Sequence, residues 1–412
     1  MATREKILIV GNGFDLYHNL PTKYSHFITV LNNIEDLEIN DDKYITFRKL
    51  FDNHESHNKL VEFFSTSMIN FKSEIILEIK EKLKSNLWFR LFKDKLNYEN
   101  WIDVENEIEE VLRVFNYIIA KINELIDSNS GVSYVSTSTR MDNIAFDVNP
   151  KERDYLTLFG LISEENTLHF KKDNFVCVRN IFIKFNSEAF FDNIYSSLID
   201  FINIFNLYLS EIVYTFLNNI KPENIKPLEV IGHKINKFYT FNYTPTLEIL
   251  YGIENNRTSF IHGKFDLRNH NIVLGIDEID GKLKDDKLFM FTKYYQKLFN
   301  NTDYQFLSEL ETSTAKNYDF IVFGHSLAQN DRNYVVELFE KAKQHGNTVS
   351  IFYLNSVDKA QKLKNILSIV GRDDVESLMK KRILAFVKID ENPFQTIFSL
   401  LPESKQTPGI VW

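Results

Sequence analysis

This sequence predicts an α/β fold, a parallel sheet with a large all-helical insertion after its first strand. Three observations carry that expectation. The chain opens on an apolar run, KILIVG, that breaks at Gly11-Asn12-Gly13. From residue 228 onward, short apolar runs alternate with turns and helical stretches. Between Pro21 and Gly131 there is neither glycine nor proline, an absence that favours long helices.

In chain order, KILIVG reads as a strand, and the turn after it leads into a helix carrying Asp15 and His18. The segments KLVEFFSTSMINFKSEIILEIKEKL and WIDVENEIEEVLRVFNYIIAKINELI place apolar residues at three-and-four spacing, which predicts helices. Asn100 or Asp103 caps the second, and a carboxylate there (Asp103 or Glu105) could reach a site from the insertion. Residues 128–152, rich in Ser, Thr and Asn, read as an exposed loop or linker. Helical spacing resumes from about 187 to 220, and Pro222 and Pro227 then punctuate the chain. LEVIG, KFYTFNYT, RTSFIHG, NIVLGID, YDFIVFGHS, TVSIFYLN and RILAFVKI follow as strand candidates. The economical division is an α/β core from residues 1–30 and 228–412, a helical insertion over 31–227, and a loose tail at 401–412.

Bulk properties narrow the function. A chain of 412 residues, 44% hydrophobic and 25% charged, is an ordinary globular protein with room for two domains or one elaborated domain. Its net charge of −9 argues against a general binder of nucleic acid or anionic membrane. The most apolar later segment, residues 196–220, is interrupted by Asp200, Asn203, Asn206 and Glu211, so it reads as a buried amphipathic helix. MATREKILIV is too short in its apolar run for a signal peptide. The one cysteine, Cys177 in NFVCVRN, excludes a disulfide framework and a multi-cysteine zinc module; it reads as packing in a reducing cytoplasm. His54 and His57 in DNHESHN lack the HExxH spacing, so no metal is expected.

Ligands of an open parallel sheet sit where strands end. Four turns qualify: Gly11-Asn12-Gly13-Phe14-Asp15, then Thr240-Phe241-Asn242, then His262-Gly263, then Gly324-His325-Ser326 with Asp331 beyond. The first suits a tight turn, with backbone close to a pyrophosphate at a helix start, although Leu16 stands where a dinucleotide fingerprint has its third glycine. Asn242 offers a donor and an acceptor for a water or sugar hydroxyl, or closes its own turn. His262 is either a general base or a satisfied strand-end histidine. The fourth turn resembles the nucleophile elbow G-x-S-x-G, with Ala328 in place of the last glycine and only His345 downstream.

Glycine turn, T-x-N, His-Gly and G-x-S, in that order, resemble the sirtuin-like nucleotide-binding fold. GNGFDLYHNLPTKYSHF, NWIDVE, TFNYT, FIHG, VLGID and VFGHSLAQND look like the AbiH family of bacterial abortive-infection proteins, from the first strand to about residue 355. The resemblance implies a Rossmann-like domain that binds NAD. Carried over, Gly11, Asn12, Gly13, Phe14, Asp15, Thr240, Gly324, Ser326 and Asp331 form the binding set, with Ser326 on phosphate or ribose. Asn242 and His262 carry catalysis. Two departures stand out: Asp15 occupies the position of a sirtuin serine, and Thr244 replaces the aspartate of T-x-N-x-D. With one cysteine the chain cannot build the zinc module of the sirtuin deacylases, which leaves an NAD-consuming hydrolase.

The resulting expectation is a cytoplasmic NAD glycohydrolase acting in phage defence, oligomeric, and released by a phage-derived trigger. A non-catalytic NAD or ADP-ribose sensor is the second reading. A serine hydrolase using Ser326 is the third.

Overall fold

A computed structural model describes residues 3–40, 42–98, 103–128, 132–133, 148–163, 170–178, 181–221, 235–277, 286–302, 306–310, 316–344 and 346–389. Six strands form one all-parallel sheet: β1 (Thr3–Val10), β2 (Lys237–Thr240), β3 (Thr258–Phe260), β4 (Lys316–Phe323), β5 (Thr348–Tyr353) and β6 (Leu384–Lys388). Their spatial order is β3-β2-β1-β4-β5-β6, so the direction of winding reverses between β1 and β4.

The near-continuous apolar runs follow from burial on both faces. Along β1, Ile7 and Ile9 enter one core with Phe320, Val322 and Leu338, while Leu8 and Val10 enter another with Phe14, Phe238 and Phe323. A half-exposed sheet would have required alternation with polar residues.

The middle of the chain is mainly helical. Its long helices are Tyr24–Asp36, Ser73–Leu83, Leu87–Tyr98, Val104–Ser128 and Ser187–Leu207, the last continuing through a π-helical turn, Tyr208–Val213, into Tyr214–Asn218. They share a phenylalanine-rich core that also takes in Phe265, Ile272, Leu274 and Phe291 from beyond β3. That stretch therefore ties the helical part to the sheet.

Three expectations need correcting. The insertion is not all-helical: Tyr44–Thr46 pairs with Asn70–Lys72, and Val132–Ser133, Ile181–Phe185 and Phe175–Val178 form a small antiparallel sheet. Residues 59–83 are not one helix, because the chain leaves helix at Phe64 to make that first pair and re-enters at Ser73. NIVLGID forms no strand; only Ile276 makes an isolated bridge, to Thr292. LEVIG, both prolines at 222 and 227, the tail, most of the 128–152 loop and the packing of the Cys177 thiol lie outside the described residues. No described helix is long and apolar enough to cross a membrane.

Candidate functional site

Register sets the strand ends level. Val10 lies opposite Thr240 and Phe323, and Thr240 lies opposite Phe260. The four turns therefore leave the sheet side by side. Phe241 N–H donates to Val10 O at 2.9 Å and Ile261 N–H to Thr240 O at 2.8 Å, which extends the ladder by one rung. Along this edge opens a cavity of about 1310 Å³. It is lined by Gly11, Asn12, Gly13, Asp15, Asn242, His262, Gly324, Ser326 and Asp331, all expected binding or catalytic residues. Phe14 and Thr240 fall outside the lining. Phe14 is buried edge-on against Phe323, and the Thr240 hydroxyl accepts from Asn242 N–H at 3.1 Å.

The glycines answer first to each other. Gly13 N–H donates to Gly324 O at 2.8 Å, and a Cβ on Gly13 would stand 2.7 Å from Gly324 Cα. Gly324 has φ +71°, and a Cβ there would meet Phe14 N at 2.3 Å. Two turns more than three hundred residues apart thus touch backbone to backbone, which only glycine allows. Gly11 N–H is bound to Phe323 O and Phe14 N–H to Gly11 O. Of the residues expected to line a pyrophosphate, Gly11 and Gly13 thus have their amides committed internally. Asn12 is pinned too, accepting from the Thr22 hydroxyl at 2.6 Å. The exposed Ser326 stands at the edge of the same cavity.

Beneath the lining lies a buried charge network. Asp331 Oδ1 is 3.2 Å from His262 Nε2, an approach without hydrogen-bond alignment, and Oδ2 is 3.3 Å from His325 Nε2. His325 Nδ1 accepts from Leu327 N–H at 2.9 Å, which leaves the Nε2 proton for Asp331. Lys293 Nζ reaches Glu105 Oε2 at 2.8 Å, Asn330 O at 2.9 Å and Asp331 Oδ1 at 3.2 Å. Burial and the Lys293 ammonium push His262 down to about 3, so its imidazole is neutral at physiological pH. Asp331 stays well below the carboxylate range despite its burial, because Lys293 and the imidazole face it. Burial pushes Glu105 up to about 7 against the pull of Lys293.

The insertion supplies Asp103 and Glu105 to the lining, and the start of the helix Tyr24–Asp36 supplies Tyr24. Asp103 caps the helix Val104–Ser128 by accepting from Asn106 N–H at 3.1 Å, and it also accepts from Asn330 Nδ2 at 3.0 Å. The cap thus pins the fourth turn. Asp15 is buried, its carboxylate accepting from the hydroxyls of Thr244 and, at 2.7 Å, Thr246. Burial raises its pKa to about 6, partly offset by those hydroxyls and by the neighbouring Asn242 amide. That amide stands near the carboxylate without hydrogen-bond alignment, and neither its Oδ1 nor its Nδ2 has a partner. It is a buried amide, without a hydrogen-bond partner, on a residue that lines the cavity.

Sequence reasoning missed Lys293 and gave His325 no role. Lys293 opens an amphipathic helix, Lys293–Asn300, and nothing in FTKYYQKLF separates it from a surface lysine. The serine-hydrolase arrangement is absent among the described residues. No histidine bonds to Ser326, and the helix after it begins only at Arg332. His345 lies outside the described residues. Nor does any described group of three or more His, Cys, Asp or Glu offer a metal site.

A six-stranded parallel sheet, with a crevice across its strand ends partly walled by a helical insertion, places the chain in the α/β class. The chain matches the family described as bacteriophage abortive infection AbiH over residues 7–353 and belongs to that family. No curated protein and no solved structure matches it.

Proposed function

We propose that this chain is an NAD glycohydrolase on a Rossmann-like, sirtuin-like core, releasing nicotinamide and ADP-ribose as the effector of an abortive-infection response. One observation carries the reading. Four turns, scattered from residue 11 to residue 331, meet in one crevice where the strand order reverses, around an amide with no partner of its own. Family membership supports the defence role. The two departures from the sirtuin pattern also support it, because they compensate. Carboxylate and hydroxyl have exchanged positions at 15 and 244, and here they bond to each other.

In the reaction, water adds to C1′ of the ribose and nicotinamide leaves with the electron pair of the glycosidic bond. Positive charge develops on the sugar at the transition state. Asn242 positions the water, and the neutral His262 takes its proton. Asp331, 3.2 Å from the ring nitrogen, stabilises the imidazolium that forms. Asp15 places a carboxylate near the sugar. The test is nicotinamide release from NAD, followed chromatographically, for the wild type, His262→Ala and Asn242→Ala. Release abolished in both variants is the expected result.

A second reading, a non-catalytic NAD or ADP-ribose sensor, is favoured by the weak basicity of the buried His262. NAD binding by the wild type without release would select it.

A further inference from the structure

We propose that the outer face of the helix Lys293–Asn300 is the surface through which two copies of this chain pair. The amphipathic pattern of this helix is inverted. Lys293, Gln296 and Lys297 are buried, while Tyr294, Tyr295, Leu298 and Phe299 are exposed. Tyr294 and Leu298 make one i, i+4 row along the outside, and Tyr295 and Phe299 make the other. The second row is stacked, ring centroids 6.1 Å apart at 9°.

The inner face fixes this orientation. Lys293 is paired with Glu105 and Asp331. Gln296 accepts from Leu274 N–H and donates to Leu274 O, each at 3.0 Å. Lys297 donates to the Tyr334 hydroxyl. Turning the helix to hide its rings would take the ammonium away from two carboxylates and break both amide bonds. The helix cannot cover its own apolar side, so the cover comes from outside.

Extent and charge favour a second copy as that cover. Phe289, half-exposed in the turn that leads into the helix, adds to the four outward side chains. Residues of this class bury about 150–250 Å² each when fully covered, so the exposed parts of these five amount to roughly 500 Å². Doubled across a two-fold axis, that is roughly 1,000 Å² before any rim, the size at which specific interfaces begin. None of the five carries a charge. On a chain of net charge −9 such a face meets its own copy without setting acid against acid. Pairing there also braces the helix that brings Lys293 to Asp331.

Sedimentation velocity of the full chain at micromolar concentration tests the surface. Wild type should sediment as two chains. So should Val357→Glu, a change at an exposed apolar residue on a different helix, Ser356–Val370. Leu298→Glu and Phe299→Ser should each weaken pairing at least about tenfold, with unchanged circular dichroism. The melting temperature of the wild type should rise with protein concentration, and that of the two variants should not. A wild type that sediments as one chain overturns the proposal, whether or not it floats with phosphatidylcholine vesicles. A pair that survives both substitutions overturns it as well.

Discussion

Thr244 donates its hydroxyl hydrogen to the Asp15 carboxylate, joining the turn after β2 to the turn after β1 inside the crevice. The pair explains how an acid survives in a place where a phosphate was expected. Its charge is met by hydroxyl donors rather than by a cation, and burial keeps it easy to protonate.

The first prediction concerns that acid. Its pKa rises from 3.8 to about 6 on folding, so between those values the folded chain holds a proton that the unfolded chain has released. Its stabilising contribution is whole below the lower value and is lost as pH rises through the upper one. Asp15→Asn cannot lose it. The melting temperature of the variant relative to wild type should climb from about pH 4 to about pH 7; a flat difference would contradict the assignment. Thr244→Val, which removes a donor, should cost about 1–3 kcal/mol at neutral pH.

His262 makes the second. His262→Ala should lower nicotinamide release by about 10²–10⁴-fold with little change in NAD affinity. Asp331→Asn should lower kcat more than it changes KM, because it acts through the imidazole. Since the ring is neutral far below pH 6, this histidine should give no inflection in the rate profile between about pH 5 and 8. An inflection there that disappears in His262→Ala would contradict the environment described.

Two glycines with left-handed backbones give an internal contrast. Gly324→Ala forces a Cβ onto Phe14 N and onto the Gly11–Gly13 turn, and should cost several kcal/mol or prevent folding. Gly252, φ +62°, caps the short helix Thr246–Tyr251, and a Cβ there would have no atom within 4 Å. Gly252→Ala should cost only about 1 kcal/mol, the backbone strain alone. Chemical denaturation of both variants reads the difference.

His26 and His54 supply a fourth. Burial pushes them down to about 3 and about 4, and the His54 ring, 4.8 Å away, adds to the effect on His26. The unfolded chain takes up protons below the ordinary histidine value of 6.5 while the folded chain does not. Their contribution is therefore complete above that value and lost as pH falls toward 4 and then 3. His54→Asn keeps an acceptor for Ser56 N–H, which donates to His54 Nδ1 at 3.0 Å. Urea midpoints at pH 7 and pH 5 should converge between variant and wild type as the medium is acidified; divergence would refute the coupling.

Much of the architecture was legible because local pattern and burial agree. KILIVG and YDFIVF are apolar almost without interruption, as strands covered on both faces must be, and four glycine- or polar-punctuated turns marked where they end. NIVLGID carried the same texture and is no strand, because its apolar side chains are drawn into the helical core instead. Residues 59–83 kept helical spacing across a break that tertiary pairing imposes at Asn70–Lys72. In the site, the strand-end residues could be read from position alone. Lys293 could not, since its partners Glu105 and Asp331 come from distant segments and only packing unites them. The packing role of the first glycines was hidden for the same reason: their close neighbour, Gly324, comes from a turn far along the chain.

The central position of β1, between β2 and β4, sets an order of events at the ribosome. Its flanking partners begin at Lys237 and Lys316, so its edges stay unpaired while most of the polypeptide is still being made. At about 5–20 residues per second that wait lasts roughly 15–60 s. Each nascent chain therefore lacks a finished crevice until its last quarter emerges, and nascent chains arrested before Lys316 should leave the β4 edge of β1 open to protease.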